Sequence, residues 1–131
     1  MAKALGVFLI PIFISALLVT AALAASVDEF YKGKTIQFVV GGSAGGGYDT
    51  YTRLIARRFA EYVPGKPSVV VQNMPGAAML IAANYIYNSA PRDGTYIGHW
   101  SGPLILQHLM GNPAVQFDGR KFGWLGMPTA D

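Results

Sequence analysis

The chain has 131 residues, 52% of them hydrophobic, with ten Lys/Arg against seven Asp/Glu. That length suits one domain of ordinary size rather than two. Setting Lys3 aside leaves nine basic and seven acidic residues, or about +2, without the dense basic face that nucleic-acid binding usually needs, and the lack of cysteine excludes disulfides, zinc–thiolate centres and cysteine nucleophiles.

The first element is a leader. Residues 1–24 carry one positive charge at Lys3, run apolar through 5–18 and end on Ala22-Leu23-Ala24 just before polar residues begin. These are the three parts of a secretory signal, with small residues at the cleavage site. Cleavage is expected after Ala24 or Ala25, so residues 1–25 are read as a signal peptide and 26–131 as a partial ligand-binding α/β lobe. An uncleaved membrane anchor is the alternative, because the apolar stretch through Ala25 is long enough to span a bilayer. Pro11 and the small-residue tail favour cleavage. On either reading the chain after Ser26 faces the far side of the inner membrane.

Thr35-Ile36-Gln37-Phe38-Val39-Val40 is short, β-branched and nearly all apolar, which predicts a buried strand. It stops at the glycine-rich run 41–47. A helix is predicted from Asp49, with Tyr51, Leu54, Ile55, Phe59 and Tyr62 on one apolar stripe and Asp49 as its N-cap. Pro64-Gly65 ends it. Val69-Val70-Val71 reads as a second buried strand, Asn73-Met74-Pro75-Gly76 as a turn and 77–88 as a second helix. A turn at 90–94 leads to a third strand, Thr95-Tyr96-Ile97-Gly98. A loop, Ser101-Gly102-Pro103, then opens a short helix over 104–110 with Pro at its entry. Phe122-Gly123-Trp124-Leu125-Gly126-Met127 reads as the start of a further strand. Alternating strands and helices of this length predict an α/β fold with a parallel sheet and right-handed β-α-β crossovers.

In such a unit the three strand-to-helix loops emerge at the carboxyl ends of the strands, where open α/β sheets bind ligands. All three loops contain glycine and lead into helix N-termini, whose free N–H groups favour anions. An anion site is therefore expected from topology alone.

Two sharper motifs compete for the first loop. Gly41-Gly42-Ser43-Ala44-Gly45 matches the G-x-S-x-G nucleophile elbow of α/β-hydrolases. An elbow serine passes almost directly into its helix, whereas three more glycines follow Ser43. Only one strand precedes it, and no oxyanion segment of the HGGG kind lies upstream. A nucleotide cradle fares no better: no Lys follows the glycines, Thr50 stands where G-x-G-x-x-G needs glycine, and the second strand ends in Gln72-Asn73 with no acid for a ribose. His99 and His108 are too few for a metal site without nearby acids and read as loop-edge residues. Tyr48 and Trp100 sit on ligand-side loops, where each can cover a ligand or simply pack.

Taken in order, Phe30-Tyr31-x-Gly33-Lys34-Thr35-Ile36, then Gly45-Gly46-Gly47-Tyr48-Asp49 before Arg53-Leu54, then Val71-Gln72-Asn73-Met74-Pro75-Gly76-Ala77, then Ala90-Pro91-x-Asp93-Gly94-Thr95, resemble the Bug-type periplasmic receptors of tripartite tricarboxylate transporters. The resemblance covers the chain from about Asp28 onward. It implies a periplasmic binding protein of type II, in which two α/β lobes close on a ligand, with this chain supplying the first lobe and the second largely missing. It also implies a monomeric, non-catalytic receptor without cofactor or metal, which captures a di- or tricarboxylate or related small organic anion and delivers it to inner-membrane permease subunits. The family grips a carboxylate with two loops of the first lobe. Carried over, these are Ser43, Ala44, Gly45, Gly46, Gly47, Tyr48 and Asp49, and Asn73, Pro75, Gly76, Ala77 and Ala78, with Trp100 and Ser101 of the third loop beside them.

The chain departs from the family in two ways. Its second loop reads Gly76-Ala77-Ala78-Met79 where members often have Gly-Ala-Gly-Gly, which reduces backbone freedom and leaves a bulkier end. Family receptors are also more than twice this length, so the sequence is read as an N-terminal fragment. Two other functions remain open beside the transport receptor: an exported sensor that reports its ligand to a membrane kinase, and an exported serine hydrolase using Ser43.

Overall fold

A computed structural model of the protein describes residues 26–128. The expected signal peptide lies outside the described residues. Among these, no helix is long and apolar enough to cross a membrane.

The chain runs α1 (Val27–Tyr31), β1 (Thr35–Val40), α2 (Gly47–Tyr62), β2 (Ser68–Asn73), α3 (Leu80–Asn88), β3 (Tyr96–His99) and α4 (Leu104–Leu109). The three strands form one parallel sheet in the order β2-β1-β3. The expected α/β fold is therefore present as a small open sheet. β1 is central and has Ile36, Phe38, Val39 and Val40 fully enclosed, because it is covered on both faces.

Register and packing locate the helices. Phe59 of α2 meets Phe38 edge to face at 5.1 Å, so α2 lies over the Ile36-Phe38-Val40 face. Tyr85 of α3 meets Tyr96, which pairs with Gln37, so α3 lies over the opposite face with Val39. α4 joins α3 there, since Leu104 packs with Leu80, Ala83 and Phe117. Both crossovers thus have the same hand. The segment after α4 is fastened by side chains of α3: Asn84 bonds Ala114 O and Gln116 N–H, and Asn88 bonds Gln116 O. These bonds let an irregular stretch cover the core without stranding its backbone polar groups.

Several expectations are corrected. α2 begins at Gly47, two residues early, with Gly46 as its N-cap, so Asp49 stands in the first turn and is not the cap. The apolar stripe of α2 faces outward: Leu54 is 62% exposed and Tyr62 78%, while Asp49 and Thr52 are buried. Phe59 of the stripe packs on the sheet. β2 is an edge strand and not a buried one, with Val70 47% exposed. Residues 77–79 are not the opening of the second helix but a separate left-handed turn, and α3 starts at Leu80. The stretch 122–127 forms no strand; its Trp124 indole donates to Gly119 O, and Leu125 and Met127 are exposed. α1, capped by Ser26 accepting from the Glu29 N–H, was not foreseen.

Candidate functional site at the carboxyl edge of the sheet

All three loops that follow strands leave from one edge, as parallel strands require. The first, 41–46, turns on itself: the Gly46 N–H donates to Ser43 O at 3.1 Å, and the Gly45 N–H donates to Asp49 Oδ2 at 2.8 Å. Two of the amides expected to meet a ligand are therefore spent inside the loop. The first α-helical bond of α2 runs from Thr50 N–H to Gly46 O, which leaves the N–H groups of Gly47, Tyr48 and Asp49 as the free donors of the helix start. Ser43, Ala44, Gly45, Gly46 and Gly47 are exposed around them.

Asp49 is only 3% exposed and is the hub of a polar network. Arg53 Nε donates to both of its oxygens at 2.9 and 3.0 Å, and Asn73 Nδ2 donates to Oδ1 at 2.9 Å. Arg53 also reaches Asn73 Oδ1 at 2.9 Å, and Asn73 Nδ2 bonds Gly42 O at 3.0 Å. The hydrogen bond from Arg53, then that from the Gly45 amide, hold the Asp49 carboxyl down at about 2, against the opposing pull of burial. The network ties the first loop to the end of β2. It also cancels the charge of the one carboxylate that would repel an anion here. Arg53 was overlooked in the sequence as a member of this edge; its i,i+4 spacing from Asp49 was the available signal.

The second loop is conformationally unusual. Ala77, Ala78 and Met79 have φ of 45°, 51° and 73°, three successive left-handed residues without a glycine. Each costs on the order of 1 kcal/mol. Pro75, Gly76, Ala77 and Ala78 are exposed, whereas the Asn73 side chain is consumed by the network. Met79 bridges all three loops. A Cβ placed on Gly41 would lie 2.5 Å from Met79 Cβ, and the Ser101 N–H donates to Met79 Sδ at 3.3 Å. Met79 was not among the expected site residues.

The third loop splits its two expected residues. Ser101 stays at the edge, but the Trp100 ring folds onto Gly98 and joins an aromatic cluster with Phe122 at 5.2 Å and Trp124 at 6.4 Å. At the end of β3, His99 is inserted between Tyr48 and Thr52. Its ring packs against Tyr48 at 5.1 Å, and its Nδ1 lies 2.6 Å from Thr52 Oγ1, which itself donates to Tyr48 O. Burial lowers the pKa of His99, partly countered by the Tyr48 backbone. The imidazole is thus engaged by Thr52 and not by Ser43.

Among the described residues no group of three or more His, Cys, Asp or Glu could hold a metal ion. The arrangement offers backbone donors and a balanced carboxylate around a neutral rim, which suits recognition of a small anion. Comparison with protein families and with curated proteins gives no match.

Proposed function

We propose that this protein is the ligand-gripping lobe of an exported solute receptor, of the type II periplasmic kind, that captures a small carboxylate for a membrane permease of the tripartite tricarboxylate type. The single observation that carries the reading is the free donor set at the start of α2 beside a carboxylate already neutralised by Arg53. A ligand anion placed there meets N–H groups and the positive end of a 16-residue helix without facing an unbalanced negative charge. The sheet order β2-β1-β3, with helices on both faces, is that of a doubly wound fold, whose ligands sit at this edge. The carboxylate class and the membrane partner rest on the resemblance of the ordered motifs from Phe30 to Thr95 to the Bug-type receptors.

The test is thermal melting of the protein against succinate, malate and citrate. One of these is expected to raise the melting temperature. Gly46→Leu should remove that rise, because a Cβ there sits 3.1 Å from Ser43 O and the added side chain crowds the turn beside the α2 donors. A melting temperature indifferent to every carboxylate would count against the reading.

A further inference from the structure

The chain leaves β1 toward α2 on one face of the sheet and leaves β3 toward α4 on the other. At the boundary between β1 and β3 the connections of neighbouring strands therefore diverge, and such a boundary opens a crevice that α/β sheets use for ligands. Here the two lips of that boundary are Gly41, whose N–H bonds His99 O, and Ser101. One side chain crosses it. Met79 comes from the second loop, lies against Gly41, and takes the Ser101 N–H on its sulfur.

We propose that Met79 is the specificity-determining gate of this edge: its thioether occupies the position at which a ligand oxygen would accept the Ser101 N–H, and the ligand must displace it to reach that donor. This rests on the reading of the edge as an anion site. General thioether chemistry and the local backbone both bear on it. A thioether is a weak acceptor, so an anionic oxygen competes for the amide with an advantage. The methionine side chain is unbranched, with several rotatable bonds, so it can swing clear without moving the backbone. Met79 is held at φ 73°, a conformation that glycine would adopt more readily, and its side chain already lies between Gly41 and the Ser101 N–H.

The gate makes a size-dependent prediction. A small monocarboxylate can bind the α2 donors with Met79 in place, whereas a longer dicarboxylate must displace it to use the second donor. Met79→Gly removes the arm and suits the local backbone. Met79→Leu keeps a comparable bulk but offers no acceptor. If the arm is swung out about one-tenth of the time, removing it tightens binding about tenfold.

The experiment is a titration of wild type, Met79→Gly and Met79→Leu with acetate, succinate and inorganic phosphate, followed at the Ser101 backbone amide by ¹⁵N–¹H NMR. The expected result is that Met79→Gly binds succinate about tenfold more tightly than wild type, with the Ser101 resonance moving on binding. Acetate affinity should change little, and Met79→Leu should show no gain. Succinate affinity equal in wild type and Met79→Gly would overturn the gate while leaving the carboxylate reading intact. A Ser101 amide that responds to none of the three anions in Met79→Gly would overturn it as well. Phosphate binding to Met79→Gly through Ser101, with no carboxylate binding by any variant, would uphold the gate and reject the carboxylate ligand.

Discussion

The two edges of the sheet are built on different principles. At the amino edge, α1 buries none of its residues and is tied down by a few local contacts. The Tyr31 hydroxyl donates to Gly94 O at 3.1 Å, the Gly65 N–H donates to Asp28 Oδ1 at 2.8 Å, and Lys34 Nζ rests 3.5 Å over the Phe30 ring. A Cβ on Gly65 would come within 2.3 Å of Asp28 O and 2.7 Å of Lys32 N, so backbone meets backbone there. At the carboxyl edge, loops are joined by the Asp49-Arg53-Asn73 network and by one flexible methionine, and three left-handed residues follow one another. Local hydrogen bonds and one close backbone approach at Gly65 hold the first edge; a side-chain polar network and left-handed residues shape the second. Left-handed residues without glycine persist only where the surrounding contacts hold them.

Substitutions can break or sharpen this contrast. The largest effect is expected from Gly65→Val at the amino edge, where the overlap is with backbone and φ is +80°. Overpacking and the left-handed penalty together should cost about 3 kcal/mol, measured by urea unfolding. Asn73→Ala at the carboxyl edge should cost about 2 kcal/mol, because Arg53, Asp49 and Gly42 O lose partners. It should also weaken anion binding, whereas Gly65→Val tested well below its midpoint should not.

Acid separates the edges by another route. The folded-state pKa of Asp49 is depressed, so its stabilising contribution is full above its ordinary value of 3.8 and is lost as pH falls toward about 2. Wild type should lose stability through that window, and Asp49→Asn should lose less; equal slopes in acid unfolding curves would refute the network. The smallest effect is a gain. Ala78→Gly relieves a left-handed alanine and should stabilise by about 0.5 kcal/mol, after the extra freedom of glycine in the unfolded chain is subtracted. A loss on that change would show that the turn is not strained.

The sequence made the sheet legible, because β1 and β3 are short β-branched or aromatic runs bounded by glycine and turn residues, and the β1 limits at Thr35 and Val40 match the structure. The rotation of α2 was not legible. Hydropathy pointed Leu54 and Tyr62 inward, but Phe59 on Phe38 and the bonds of Asp49 and Thr52 fix a rotation that keeps Phe59 against the sheet, buries Asp49 and Thr52 and turns Leu54 and Tyr62 out. The Gly41–Gly47 loop was easy to locate, since glycine runs interrupt regular structure. Its internal use of the Gly45 and Gly46 amides was not read, because the Asp49 carboxylate that takes the Gly45 N–H was expected to cap the helix, and its partner Asn73 comes from a distant strand. Nor does a residue's identity reveal a left-handed backbone when alanine occupies it, so the turn at Ala77 and Ala78 looked like ordinary helix.

The hydroxyl of Thr52 fixes more than a position. It owns a single proton, and that proton goes to the Tyr48 carbonyl at 2.7 Å. The 2.6 Å contact with His99 is then satisfied only if Nδ1 bears the hydrogen, which selects one imidazole tautomer and leaves a lone pair on Nε2. Since burial disfavours the imidazolium, the ring at neutral pH is a hydrogen-bond acceptor and not a cation. A donor set at the start of α2 and an acceptor nitrogen at the end of β3 thus stand on neighbouring loops of one sheet edge, the two polarities held apart by a single threonine proton.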